Sequence, residues 1–376
     1  MKFLFTCGGT AGHINPALGV AQRLRELMPD CSILFIGASG QMETELVPRE
    51  GFEIKTIPIT NISREISLEG LKHNIGTLKN TLKSISEAKK IIREFEPDAV
   101  IGTGGYVCYP VLRAAHSLNI PTAVHESNAV PGLTTKMLAN IADLILLGFE
   151  ESRQYYKRQN KVLVTGTPVR TEFYSLDKAG ARKKLGLEPD KPLVLSVWGS
   201  LGSVFMNETI VDFIAKAQGN PFFGLIHSAG KSGYQGVLQK IREQGLETAT
   251  EKGMEVREYI YDMPLVMAAS DLVICRSGAS TLSELTALGK PAILVPSPNV
   301  TNNHQEKNAR LFEKVGAAVL IPESEISPAR LLGHVSLLLS RPDTLEAMSG
   351  QMAKIGVTDA TKKITEIVLE LASKKA

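Results

Sequence analysis

The feature that most constrains this chain is an alternation. Short apolar runs, each long enough to cross a sheet once, are separated by stretches of helical length, and several end in glycine turns. Runs at Phe3–Phe5, Ser32–Ile36, Ala99–Ile101, Thr122–Val124, Leu144–Leu147 and Val162–Val164 read as strands joined by crossover helices, the pattern of a parallel sheet. After Arg170 comes a charged stretch, 171–191. Leu193–Val197 then ends in the turn Trp198-Gly199-Ser200-Leu201-Gly202-Ser203, and the pattern restarts. Further strands are predicted at Phe223–Ile226, Glu255–Tyr259, Leu272–Cys275, Ala292–Val295 and Ala318–Leu320. A chain of 376 residues exceeds the ~250–300 at which a single core stops growing, so two domains are expected, 1–168 and 169–358. The last helix, 359–375, carries a one-sided stripe of Ile364, Ile367, Val368 and Leu371 and is expected to pack back on the first domain.

Charge and cysteine usage exclude several classes. With 42 basic against 39 acidic residues the net charge is +3, too balanced for a nucleic-acid footprint, so any bound anion must be met locally. Cys7, Cys31, Cys108 and Cys275 form no CxxC pair, which argues against a zinc site or a disulfide framework and fits a reducing compartment. The start, MKFLFTCGGT, reads as a first strand rather than a signal peptide. No window reaches the ~18 apolar residues of a membrane span, so membrane contact is expected to be peripheral.

The chemistry is expected at the glycine turns. Gly8-Gly9-Thr10-Ala11-Gly12-His13 follows the first strand and precedes Pro16 and the apolar face Ala17, Val20, Ala21, Leu24 and Leu27. Such a turn brings backbone N–H groups and a helix N-terminus onto an anion or polar ligand. A dinucleotide site wants GxGxxG and an acid about 20 residues on. Here the spacing is GGxxG and the first acid after the second strand is Glu43, which disfavours a nicotinamide dehydrogenase. Gly102-Thr103-Gly104-Gly105-Tyr106 forms a second turn, before a helix expected to open at Pro110, and the turn at 198–203 is the third. Each is equally compatible with a tight turn holding nothing. His125-Glu126-Ser127-Asn128 ends a strand where ligand sites of α/β sheets occur, or is a hydrogen-bonded loop.

The densest segment is Cys275-Arg276-Ser277-Gly278-Ala279-Ser280-Thr281-Leu282-Ser283-Glu284, leading into a helix that stops at Gly289. Thr281 and Glu284 fit a T-x-x-E capping box. A helix N-terminus with a carboxylate one turn in also suits a nucleotide, dipole on phosphate and carboxylate on the ribose hydroxyls. Asn302-Asn303-His304-Gln305-Glu306 offers uncharged donors for sugar hydroxyls, or a surface turn.

Taken together, GGTAGHINPAL, TGGY, HESN, GTPVR, CRSGASTLSE and HQEKNA resemble the MurG family, in order and over nearly the whole chain. The sequence departs from the family pattern at Ala11, at Trp198 and Leu201, and at Cys108-Tyr109. The resemblance implies an α/β GT-B glycosyltransferase fold of two Rossmann-like domains facing a cleft, the second holding UDP-N-acetylglucosamine and the first the acceptor, lipid I. It implies an inverting transfer to the C4 hydroxyl of the muramoyl sugar, forming lipid II in peptidoglycan synthesis. By position, Glu284 would accept the ribose hydroxyls, Ala279, Ser280 and Thr281 would meet diphosphate and sugar, and Ile260 would meet uracil through its backbone. His304 and Gln305 would read the sugar hydroxyls, and Ser200 and Arg170 would contact the nucleotide. Thr10, Ala11, Gly12 and Asn128 would close over the sugar, with Gly104, Gly105 and Tyr106 on the acceptor side.

Transfer needs a base for the hydroxyl proton and electrostatic stabilisation of the departing diphosphate. His13 and Glu126 are the candidate bases, His13 favoured because its ordinary pKa lies near neutrality. No acidic pair calls for a metal, and no cofactor is implied. An epimerase of UDP-N-acetylglucosamine and a non-catalytic UDP-sugar-binding module are the rival readings. The implied place is the cytoplasmic face of the inner membrane, with other cell-wall synthesis proteins as further partners. The segment Ile66 to Phe95, with Lys72, Lys79, Lys83, Lys89, Lys90 and Arg93 beside Leu68, Leu71, Ile75, Leu78, Leu82 and Ile85, reads as a basic amphipathic face for an anionic membrane surface, or as an ordinary solvated helix.

Overall fold

The computed structural model describes residues 1–59, 68–199, 202–218, 222–251, 253–300, 303–357 and 359–373. The chain divides into two compact units, Met1–Thr171 with Asp359–Ala376, and Glu172–Thr358. The chain thus leaves the first unit once and returns to it.

The first unit runs β1 (Lys2–Thr6), α1 (Ala11–Leu27), β2 (Ser32–Ala38), α2 (Glu43–Arg49), β3 (Glu53–Ile57), α3 (Leu68–Phe95) and β4 (Ala99–Gly102). It continues through α4 (Cys108–Ser117), β5 (Thr122–Glu126), α5 (Leu133–Leu138), β6 (Leu144–Leu147) and β7 (Val162–Val164). The strands form one parallel sheet ordered β3-β2-β1-β4-β5-β6-β7. The order reverses between β1 and β4, so the connections leaving those two strands diverge and open a crevice at their carboxyl ends. Both faces are covered: Phe3 and Phe5 turn toward α1, Leu4 toward α3 and α4.

β3, absent from the strands read in the sequence, is an edge strand whose Glu-Ile-Lys-Thr-Ile buries only Ile57, so no apolar run marks it. The described part of α3 also differs from a simple amphipathic face. Ala88 and Ile92 are buried against the sheet, with Ile85 packed beside them, while Leu82 is 62% exposed. Ile85 therefore serves the core rather than an outer face. Ile66 and the side chains of Leu68, Leu71, Lys72, Ile75, Leu78 and Lys79 lie outside the described residues.

The second unit comprises α6 (Glu172–Ser175), α7 (Lys178–Lys184), β8 (Leu193–Val197), α8 (Val204–Ala217), β9 (Gly224–Ser228), α9 (Tyr234–Glu243), α10 (Glu247–Glu251) and β10 (Met254–Arg257). It goes on through α11 (Met263–Ala269), β11 (Leu272–Cys275), α12 (Ala279–Leu288), β12 (Ala292–Leu294), α13 (His304–Lys314), β13 (Ala318–Leu320), α14 (Pro328–Leu339) and α15 (Pro342–Ile355). Its parallel sheet, β10-β9-β8-β11-β12-β13, reverses between β8 and β11. β10 begins at Met254 and ends at Arg257, so Tyr259 belongs to the loop after it. The charged stretch before β8 belongs to this unit. Asp271 accepts Leu193 N–H at 2.8 Å and Arg182 Nη1 at 3.0 Å and pairs with Lys178, fastening α7 to the amino edge of the sheet.

The returning helix, α16 (Ala360–Ser373), buries Ile364, Val368 and Leu371 in the cluster built on α1 and β1. Thr361 Oγ1 donates to Val169 C=O at 2.8 Å and accepts Val169 N–H at 3.2 Å, tying the chain's exit from the unit to its re-entry.

Candidate active site

In the first unit α1 begins at Ala11, with Thr10 as an extended N-cap that makes no side-chain cap. The helix starts before Pro16, so Ala11, Gly12 and His13 form its first turn, with His13 N–H donating to Thr10 C=O at 3.0 Å. His13 Nδ1 lies 3.1 Å from Gly8 C=O and 3.3 Å from Thr10 Oγ1. A carbonyl only accepts, so Nδ1 carries the hydrogen, and in the neutral ring Nε2 carries the lone pair.

The second turn interlocks with the first. Gly8 N–H donates to Gly104 C=O at 3.2 Å, and Thr103 Oγ1 donates to His13 C=O at 2.6 Å. A Cβ on Gly104 (φ +121°) would come within 2.4 Å of the His13 ring, and one on Gly105 (φ +89°) within 2.4 Å of Gly8 C=O. The structure therefore brings Thr10, His13, Gly104 and Gly105 together, with Tyr106 exposed beside them. The next helix begins at Cys108, making Pro110 its third residue rather than its opening. Cys108 Sγ sits 3.1 Å from Thr6 C=O and 3.0 Å from Gly104 C=O, and burial pushes its thiol up to about 12. Cysteine fits this position as a buried, weakly donating side chain between two carbonyls.

Glu126 closes on its own loop. Oε1 accepts N–H and Nδ2–H of Asn128, at 3.0 and 3.1 Å, and Oε2 accepts Gly132 N–H at 2.9 Å. A carboxylate holding these donors fixes residues 126–132. Its neighbour His125 is buried, with Nε2 2.9 Å from Gly166 C=O and Nδ1 3.2 Å from Ser127 Oγ. Burial lowers its pKa, and burial lowers that of His227 on β9 to about 3. Both imidazoles are core groups held neutral. Of the histidines at these strand ends, only His13 is partly exposed.

In the second unit α12 begins at Ala279, with Gly278 as an extended N-cap and no side-chain cap. This overturns the capping box. Thr281 is already the third helical residue and Glu284 the sixth, both past the position that cap geometry requires. Ser280 and Glu284, each 7% exposed, stand one turn apart on one face. Ser280 Oγ is buried with no hydrogen-bond partner among the described residues.

Gln305, at the start of α13, is joined to this turn: its C=O accepts Ser277 Oγ–H at 2.7 Å, and its Oε1 accepts Ser297 N–H at 2.8 Å. That leaves the Gln305 NH₂ as a donor. His304 precedes it as the first residue of α13. Ile260 lies in the loop from β10 to α11, and α11 packs on α12. Ser200 and Leu201 fall outside the described residues. Arg170 belongs to the first unit, where Nη1 lies 3.4 Å from Glu50, which also accepts Gln22 Nε2–H. Gln22 is roughly 14 Å along α1 from His13 at 1.5 Å per residue.

Two functional contributors went unassigned in the sequence. Arg276 is buried, with Nη1 donating to Val295 and Pro296 C=O (3.1 and 3.2 Å) and Nη2 donating to Ser203 Oγ at 3.1 Å. It also pairs with Glu323 and lies 5.6 Å from the centre of the Trp198 ring. It thus ties the turn after β8 to the turn after β11, and the departure at Trp198 supplies its aromatic seat. Glu43, fully buried, accepts Gly9 N–H at 3.0 Å and Ala38 N–H at 2.8 Å. The sequence presented it only as a misplaced ribose acid. Among the described residues no group of His, Cys, Asp or Glu side chains is arranged to hold a metal ion.

Comparison with known proteins agrees with this architecture. Residues 3–147 match the glycosyltransferase family 28 N-terminal domain and residues 193–364 the family 28 C-terminal domain. The chain is 44% identical over 376 residues, all of both chains, to the UDP-N-acetylglucosamine–N-acetylmuramyl-(pentapeptide) pyrophosphoryl-undecaprenol N-acetylglucosamine transferase of Acetivibrio thermocellus. It is 42% identical to the enzyme of the same name from Thermoanaerobacter sp., over 98% of this chain and 99% of that one. The crystal structure of Acinetobacter baumannii MurG superposes with a TM-score of 0.71 at 26% identity, covering 98% of this chain and 99% of that one. The UDP-GlcNAc 2-epimerase of Neisseria meningitidis, at 16% identity and a TM-score of 0.66 over 98% and 100%, shares the fold alone. Two parallel-sheet Rossmann-like units with these matches make the fold GT-B, and the chain belongs to glycosyltransferase family 28 and, within it, to the MurG family.

Proposed function

We propose that this chain transfers N-acetylglucosamine from UDP-N-acetylglucosamine to the C4 hydroxyl of the muramoyl sugar of lipid I, giving lipid II and UDP. The observation that carries the donor half is the head of α12: a helix N-terminus with no side-chain cap, a buried Ser280 hydroxyl without a partner among the described residues, and the Glu284 carboxylate on the same face. The helix dipole and its free N–H groups stabilise the charge that grows on the diphosphate as the sugar departs. Glu284 accepts the two ribose hydroxyls. Ala279, Ser280 and Thr281 contact the diphosphate and sugar, Ile260 meets the uracil through its backbone, and His304 and the Gln305 amide donate to sugar hydroxyls.

The acceptor half belongs to the first unit. His13 Nε2 takes the proton of the C4 hydroxyl as its oxygen attacks the anomeric carbon, and the bond to the UDP oxygen breaks with inversion. The hydrogen bond from Nδ1 to Gly8 supports this role, because it leaves the lone pair on Nε2. Glu126, with both oxygens engaged, holds the Asn128 loop instead of acting as base. Thr10, Ala11, Gly12 and Asn128 contact the transferred sugar, and Gly104, Gly105 and Tyr106 the acceptor.

No helix among the described residues is long and apolar enough to cross a membrane. We place the chain at the cytoplasmic membrane face through the basic side of α3, where Lys83 and Lys90 are exposed and meet Glu87 and Glu94 only at 3.9 and 4.0 Å. Each lysine near an anionic surface contributes about 1 kcal/mol.

Three measurements test this reading. UDP release from UDP-N-acetylglucosamine is expected to require lipid I; release at the same rate without it would make the chain a hydrolase, and conversion to an isomeric UDP-sugar without net UDP release would make it an epimerase. Glu284→Ala is expected to raise KM for UDP-N-acetylglucosamine about 10- to 100-fold, the worth of hydrogen bonds to a charged group. A lowered melting temperature with unchanged KM would return Glu284 to a structural role. Lys72, Lys79 and Lys83 changed together to glutamate should abolish flotation with anionic vesicles while donor binding persists, whereas undiminished flotation would remove α3 as the docking face.

A further inference from the structure

We propose that Glu43 is a positioning residue for this reaction, holding the Gly8–Gly9 peptide so that its carbonyl takes the Nδ1 hydrogen of His13 and leaves Nε2 as the proton acceptor. The proposal rests on His13 being the base. A trans peptide points its N–H and its C=O in opposite directions. Here the N–H of Gly9 goes to Glu43 Oε2 at 3.0 Å, and the C=O of the same peptide, that of Gly8, lies 3.1 Å from His13 Nδ1. The carboxylate therefore stands at one end of a single peptide plane and the imidazole at the other. Polarisation runs along the chain from carboxylate to peptide to ring, and each hydrogen bond strengthens the next.

The surroundings are built around this carboxylate. Glu43 is fully buried at the first position of α2, and its second oxygen accepts Ala38 N–H at 2.8 Å, anchoring it to the end of β2. Room for it exists only because its neighbours lack side chains. A Cβ on Gly8 would lie 2.4 Å from Glu43 Oε1, and one on Gly37 2.5 Å from its Cγ. Gly9 itself sits at φ +84°, the backbone turn that aims its N–H at the carboxylate. A buried charge without partners is costly, so a carboxylate retained here and satisfied by main-chain N–H groups points to a demand on geometry.

The decisive readout is the tautomer of His13. In protein labelled with ¹⁵N-histidine, with the His13 signal assigned by its loss in His13→Ala, long-range ¹H–¹⁵N spectra of the wild type should show the hydrogen on Nδ1. Glu43→Gln, which offers an amide NH₂ to one of the two N–H donors, should lose that preference and lower kcat on the order of 10²-fold, with KM for UDP-N-acetylglucosamine unchanged. Glu43→Asp, which keeps the charge on a shorter arm, should recover part of the turnover. A wild-type ring carrying its hydrogen on Nε2 overturns the proposal even if no Glu43 variant folds, and so does a Glu43→Gln protein with wild-type tautomer and turnover. Should His13→Ala keep normal turnover while Glu43→Gln shifts the tautomer, the base assignment fails and the ring-orienting contact stands.

Discussion

The first unit depends on an approach of backbone to backbone. β1 and β4 are neighbours whose connections leave in opposite directions, so the turns at their carboxyl ends must share one small space. They share it because Gly105 lies against Gly8 C=O where a Cβ would be 2.4 Å away, and Gly104 lies against the His13 ring. Any side chain there would separate the turns and carry His13 away from Thr103, whose hydroxyl holds its carbonyl. The second unit meets the same topological problem with a side chain. Arg276 reaches from the end of β11 to Ser203 beyond β8, to the carbonyls after β12 and to Glu323. One unit is thus closed by the absence of side chains, the other by a buried guanidinium.

That difference carries an electrostatic consequence. The glycine turn of the first unit already has an anion, the Glu43 carboxylate on Gly9 N–H, and a nucleotide diphosphate brought there would meet a like charge. The α12 terminus of the second unit has no acidic residue in its first turn, and the first carboxylate along the helix, Glu284, stands one turn beyond Ser280. Its charge is felt deeper still, where burial and then Glu284 push the Cys275 thiol upward. Two similar folds therefore place their own carboxylates differently, Glu43 under the glycine turn of the first unit and Glu284 one turn into α12 in the second.

What was legible in the sequence follows from how each feature is encoded. Strands buried on both faces, such as Phe3–Phe5 and Leu193–Val197, announce themselves as apolar runs, whereas β3 pairs on one edge with Lys55 and Glu53 in its length and leaves no such mark. The T-x-x-E spacing at Thr281 and Glu284 imitated a cap, because the true start is set by the backbone of Gly278, which spacing cannot reveal. Pro110 looked like a helix opening, yet its helix begins earlier, at Cys108. Glu43 and Arg276 were visible as residues, but their roles come from contacts across 34 and 73 positions of chain. For Arg170, only the fold shows that Glu50 holds its guanidinium.

The central claim is that the UDP of the nucleotide sugar is held by the second unit at α12, while the glycine turn of the first unit, filled by Glu43, meets the transferred sugar and the acceptor. Hydrogen exchange of the full chain, with and without UDP, tests it most directly. Protection concentrated in 276–286, 258–262 and 303–309, with exchange across 8–14 and 37–45 unchanged, is the result this account predicts. Protection of 8–14 and 37–45 by UDP, with 276–286 unaffected, would contradict it.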